Sequence, residues 1–205
     1  MLRVGRIHYS PLKFMGGSCI YFGDKWVLTA GHCVKGWSLD KYVLSFPGLS
    51  REKTFEVEAV NLHPERDLAL LKLKKAPKRL KVFPIVRKSP VKNSRVWLGG
   101  FGLTGTIGET RRADGFRSGH NRVDGLRKKR ISISLSEPGE DNAEPDEAAV
   151  STFDSGSPLL VEESGQWKLA GIAATATRSK KVKPGLRSNY VDLAACADWI
   201  ERIVK

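Results

Sequence analysis

The chain has 205 residues, 40% of them apolar and 28% charged, enough for one compact domain or two small packed ones around a real core, which excludes wholesale disorder. Lys and Arg number 35 against 22 Asp and Glu, and the resulting charge of +13 attracts anionic surfaces without dictating a fold. No run approaches the ~20 consecutive apolar residues of a membrane-spanning helix.

At the start of the chain, residues 1–11 lack the apolar core of a secretory signal. Either the protein stays inside the cell or a leader has been removed. Short β-rich runs then follow at 18–22, 26–29, 42–46, 55–62 and 68–73, with Gly23-Asp24 as a tight hairpin signal between the first two. Residues 83–94 are polar and proline-punctuated and read as a surface linker. Strands resume at 95–98, 131–135, 158–162 and 167–175. Between them lie two long biased segments. Residues 104–130 read as a loop ending in Arg-Lys-Lys-Arg, and 137–147 carry six acids. From Asp192, read as an N-cap, Leu193, Cys196, Ile200 and Ile203 form one apolar stripe of a terminal helix.

Twenty glycines, many short strands and one helix predict an all-β protein of two antiparallel barrels side by side. The expected division is a first barrel over 1–82, the linker 83–94, a second barrel over 95–191 and the helix 192–205, together forming one domain. The three cysteines, Cys19, Cys33 and Cys196, lack zinc-type spacing, so no metal framework is expected.

Three segments carry chemistry. An apolar strand ends in Leu-Thr-Ala-Gly-His-Cys at 28–33; Arg-Asp-Leu-Ala-Leu-Leu at 66–71 puts an aspartate before a buried strand; Asp-Ser-Gly-Ser-Pro at 154–158 sets a serine in a tight turn. A serine hydroxyl is too weak an acid to attack a carbonyl unaided. It needs an imidazole within hydrogen-bond reach, and that imidazole needs its other nitrogen held by an anion.

The order His32, Asp67, Ser155, each in such a local setting, resembles the trypsin-like (chymotrypsin-fold) serine proteases. Gly16-Gly17-Ser18, Gly100-Phe101-Gly102, Leu169-Ala-Gly-Ile172 and Tyr190 with Trp199-Ile200 extend the likeness over nearly the whole chain. The resemblance implies two six-stranded antiparallel barrels with a C-terminal helix, and a serine endopeptidase acting on protein or peptide substrates through an acyl-enzyme, without cofactor. His32 would be base then acid, Asp67 its orienter, Ser155 the nucleophile, and the backbone N–H groups of Phe153 and Ser155 the oxyanion hole. It also implies work outside the cytoplasm.

Departures from the family pattern set further expectations. The family has glycine at the position of Phe153, where φ > 0 turns the N–H toward the oxyanion, and a bulky residue resists that conformation. The turn is therefore reshaped, completed only by substrate, or weakly active. Ile-Val-Gly-Gly is missing and few residues precede Ser18, so Asp154 is expected to pair with an internal Arg or Lys rather than a freed amino terminus. The substrate pocket falls on Ala149, Ala174, Ala176 and Ser188, which favours small or apolar residues before the scissile bond; a register slip would instead bring in Glu147 and a basic preference. Ala174 replaces a serine that backs the catalytic aspartate. A Cys19–Cys33 disulfide would parallel the family's bridge near the histidine. The basic segment 111–130 holds eight Lys/Arg and is open to a polyanion, an acidic partner or the acidic 137–147 segment of the same chain. No motif points to specific nucleic-acid binding. The competing reading is an impaired protease homologue that binds partners.

Overall fold

The computed structural model describes residues 4–9, 14–47, 54–78, 80, 82–109, 115–177, 179 and 181–205. Seven strands form the first sheet: β1 Val4–Tyr9, β2 Phe14–Gly23, β3 Trp26–Thr29, β4 Tyr42–Ser45, β5 Thr54–Phe55, β6 Val57–Leu62 and β7 Ala69–Leu73, in the order β5-β4-β1-β2-β3-β7-β6. Seven more form the second: β8 Arg95–Gly100, β9 Arg117–Arg122, β10 Gly125–Arg127, β11 Arg130–Ser134, β12 Pro158–Glu163, β13 Gln166–Ala176 and β14 Arg187–Asp192, in the order β10-β11-β14-β13-β12-β8-β9. Neighbouring strands run antiparallel throughout both sheets, for example β1 on β2 and β13 on β14. Bulges in β1–β2, β12–β13 and β13–β14 tighten the twist, and both sheets curl into half-barrels.

The all-β expectation therefore holds, with seven strands per sheet where six were expected. The additions come from short or polar strands whose pairing is non-local. β1 and β9 have no distinctive local signature, and much of the stretch read as a loop over 104–130 is β9 and the β10–β11 hairpin. Residues 110–114, at the start of the basic segment, lie outside the described residues. The first hairpin turn is Asp24-Lys25, one residue later than expected, since Gly23 still pairs with Trp26. Asp24 takes the left-handed conformation, with φ 49°, which aspartate tolerates.

Each sheet wraps its own apolar cluster. Ile7, Tyr42, Phe46 and Leu71 fill the first, and Val96, Ile131, Leu159 and Tyr190 the second. A third cluster joins the two: Leu28, Leu68 and Leu70 pack with Leu160, Ile172 and Ala174. Each such aliphatic side chain contributes about 1.5–3 kcal/mol on full burial, so this seam is cemented by apolar surface. The C-terminal helix α1, Ala197–Val204, is shorter than expected. Asp192 ends β14, and its carboxylate accepts from Ala194 N–H at 3.1 Å in the intervening 3₁₀ turn. Ile200 of α1 is buried in the same seam cluster. Among the described residues no helix is long and apolar enough to cross a membrane.

Candidate active site

His32 lies in a 3₁₀ turn, Gly31–Cys33, at the end of β3. Asp67 sits just before β7, the strand paired with β3, so backbone register alone brings the two together. The Asp67 carboxylate grips His32 twice: Oδ2 lies 2.7 Å from the ring Nδ1, and Oδ1 accepts the His32 backbone N–H at 2.8 Å. Both bonds come from His32, and Ala174, in place of a serine, offers the carboxylate no hydroxyl. The His32 side chain is half exposed, and Asp67 is 24% exposed.

The electrostatics follow from this grip. Asp67, followed by the adjacent Cys33 thiol, raises the His32 pKa well above its ordinary value and outweighs the opposing effect of burial. Burial works to raise the Asp67 carboxyl, but the two bonds from His32 prevail and leave it below the usual carboxylate range. The imidazole thus has its Nδ1 locked on an anion.

Ser155 stands in a turn stitched to both sheets. From the first sheet, Ser18 N–H donates to the Ser155 carbonyl at 2.7 Å, and the Ser18 hydroxyl donates to the Phe153 carbonyl at 3.2 Å. From the second, Gly156 N–H donates to Ala173 O, and Ser157 O accepts from Ala173 N–H, each at 2.8 Å. Glycine at 156 is required by the close approach. Its φ is 87°, and a Cβ there would collide with the Ser18 carbonyl and the Thr29 hydroxyl. The fully buried Ser18 was noted in the sequence only as part of a Gly-Gly-Ser motif. Its clamp spans 135 residues of chain, and nothing local announces it.

Phe153 adopts φ 75°, the left-handed conformation its bulk disfavours. The N–H groups of Asp154, Gly156 and Ser157 all donate to backbone carbonyls, whereas those of Phe153 and Ser155 have no backbone acceptor among the described residues. The serine's own N–H and that of Phe153, two residues before it, are therefore unengaged among the described residues. The Ser155 hydroxyl makes no hydrogen bond with His32 among the described residues, although Cys33, the next residue, donates its thiol to the Ser155 carbonyl at 3.6 Å.

Asp154 corrects an expectation. No Arg or Lys pairs with it among the described residues; instead Gly102 N–H donates to Oδ1 at 2.8 Å and Ser151 N–H to Oδ2 at 3.0 Å. Gly100 and Gly102 leave room for the carboxylate, since a Cβ at either would collide with it. Burial, opposed by backbone donors from Ser151, Gly102 and Phe101, lifts its pKa to about 6. Arg6, a cation near this turn, stacks on the Phe101 ring at 4.3 Å.

Three of the four expected pocket residues lie near one another. Ala176 pairs across the sheet with Ser188, whose buried hydroxyl accepts Val150 N–H at 2.9 Å next to Ala149. Ala174 lies instead in the seam cluster. Ala149 also lines a cavity of about 370 Å³ with Gly100, Gly102, Glu147 and Asp154, and none of His32, Asp67 or Ser155 borders it. Glu147 accepts from both the backbone N–H and the hydroxyl of Ser136, so its charge is already solvated by the protein. Cys19 and Cys33 are free buried thiols, not a disulfide. Part of the acidic segment meets the basic one: Glu144 pairs with Arg122 at 2.9 Å and Asp146 with His120 at 2.9 Å, while Glu144 also pairs with Arg95 of β8 at 2.8 Å. Among the described residues no group of three or more His, Cys, Asp or Glu could hold a metal ion.

Two curled antiparallel sheets with a short terminal helix make this the chymotrypsin-like all-β fold. Residues 17–172 match the family model described as a trypsin-like peptidase domain, and the chain belongs to that family. It is a protease of the serine class, and its substrates are proteins.

Proposed function

We propose that the chain is a serine endopeptidase in which Ser155 is the nucleophile, His32 the general base and then acid, and Asp67 the residue that fixes the imidazole. The two halves of the peptidase domain, 1–82 and 95–191, supply His32 with Asp67 and Ser155 with the pocket respectively. Ser155 Oγ attacks the scissile carbonyl carbon while His32 Nε2 takes the hydroxyl proton. The oxyanion is held by Phe153 and Ser155 N–H. Collapse of the tetrahedral species breaks the C–N bond, and His32 returns the proton to the departing amine. Water then repeats the sequence on the ester.

The observation that carries this reading is the pair of unengaged N–H groups at 153 and 155 in a turn where the N–H groups of Asp154, Gly156 and Ser157 are all bonded. Removing one such donor typically lowers turnover by about 10²–10³. The open Ser155–His32 bond agrees with unliganded sites, where catalytic hydrogen bonds tighten only on substrate binding. Ala149, Ala176 and Ser188 present no free anion, and Glu147 is engaged by Ser136. The carboxylates that share the cavity with Ala149, Glu147 and Asp154, are already held by Ser136 and by the backbone N–H groups of Gly102 and Ser151, so small or apolar residues before the scissile bond are the preference we propose.

A fluorophosphonate probe tests the reading. Labelling of the wild type that is lost in Ser155→Ala and strongly slowed in His32→Ala is the expected result. A folded wild type that takes no label would point to a partner-binding homologue.

A further inference from the structure

Folding leaves two large aromatic side chains about half open. Phe14 is 47% exposed and Trp37 48%. They belong to one strip. Phe153, two residues from Ser155, packs edge-on against Phe14 with centroids 5.4 Å apart. Phe14 is the direct cross-strand partner of Tyr9 in β1–β2, so their side chains share a face of the sheet. Tyr9 stacks on Trp37 at 4.6 Å. The Tyr9 hydroxyl donates to the Cys33 carbonyl at 2.7 Å, which ties the strip to the turn that carries His32.

We infer that the Phe153–Phe14–Tyr9–Trp37 strip receives the amine-bearing half of the substrate and selects a large apolar or aromatic side chain just after the scissile bond. The inference rests on the Ser155 acylation proposed above. In that step the departing nitrogen takes its proton from His32, so the half of the peptide that leaves must run past the Gly31–Cys33 turn. The strip is anchored to that same turn at Cys33, and it begins at Phe153 beside the oxyanion donors. A protein rarely leaves contiguous aromatic surface exposed without a partner for it. Strained backbone such as that of Phe153 gathers at sites of function. Here the left-handed residue places a benzyl group against Phe14 instead of the bare hydrogen a glycine would offer.

Acyl transfer isolates this half of the site. An acetyl-alanine ester loads the acyl group onto Ser155. An amino-acid amide then attacks the acyl carbonyl, the Ser155 Oγ–C bond breaks, and the proton lost by the amine passes through His32 to Ser155 Oγ. Phenylalaninamide and glycinamide compete with water for the same acyl-enzyme, so their capture ratio is independent of how much enzyme is folded. The expected ratio favours phenylalaninamide by about tenfold or more, the scale on which apolar pockets discriminate. It should fall to within about threefold in Phe14→Ala or Trp37→Ala and be largely retained in Phe14→Leu. An acyl-enzyme seen by mass but with equal capture of the two amides in the wild type overturns this inference alone. So does a ratio unmoved by both alanine variants. Failure of any acyl adduct to form overturns the nucleophile assignment and the inference with it.

Discussion

Phe153 offers a direct test of the oxyanion turn, because its backbone and its side chain can be separated by comparing Phe153→Gly with Phe153→Ala. Both variants lose the contact with Phe14, so that term, about 0.5–1.5 kcal/mol for an aromatic pair, cancels between them. What remains is the backbone. At φ 75° a residue with a Cβ is disfavoured against glycine by about 1–2 kcal/mol. Glycine in turn loses about 0.4–1 kcal/mol through the extra freedom of its unfolded chain. The balance makes Phe153→Gly more stable than Phe153→Ala by about 1 kcal/mol, the reverse of the usual order. In a chain of this size that is a Tm difference of about 2–4 °C. Urea or thermal unfolding of the two purified variants measures it. Phe153→Ala equal to or more stable than Phe153→Gly would mean that residue 153 does not hold the left-handed conformation, and the assignment of its N–H to the oxyanion would fall with it.

Asp67→Asn should lower kcat by about 10³–10⁴, since the imidazole loses the anion that fixes its tautomer. Because Asp67 raises the His32 pKa and the base must be neutral, wild-type activity should rise with pH through that raised value, and the acid limb should move to lower pH in Asp67→Asn; an unmoved limb refutes the coupling. Gly156→Ala forces a Cβ against the Ser18 carbonyl at φ 87° and should destabilise by about 3 kcal/mol or more while abolishing Ser155 labelling, with unchanged unfolding as the disproof. Asp154 binds its proton more tightly folded, near pH 6, than unfolded, near 3.8. Its contribution to stability is therefore fully present below the unfolded value and is lost as pH rises through 6, a swing of about 3 kcal/mol. The stability of the wild type relative to Asp154→Asn should accordingly improve from pH 7 to pH 4; a constant difference contradicts it.

The parts of this protein that were legible in the sequence are those whose chemistry is local. Thr-Ala-Gly-His-Cys after an apolar strand, an aspartate before Leu-Ala-Leu-Leu, and Asp-Ser-Gly-Ser-Pro each announce a turn beside a strand, and the strands of the first hairpin follow from two β-rich runs joined at Gly23-Asp24. β1, β9 and β10 escaped because their residues carry no strong preference and are held as strands by neighbours distant in the chain. The seventh strand of each sheet belongs to that set.

The site divides in the same way. Residue types determined which groups are able to act as base, anion and nucleophile. Only the tertiary structure decided how the groups are held. Phe153 would by itself avoid φ 75°, yet the Ser18 clamp on its carbonyl and the cradle of backbone donors around Asp154 fix the turn on either side. Asp154 finds amide dipoles where a cation was expected, because Gly100 and Gly102 let the backbone approach its carboxylate. Local propensity is worth about a kilocalorie per residue, while a turn clamped at several points by buried hydrogen bonds draws on several times that, so the long-range contacts prevail.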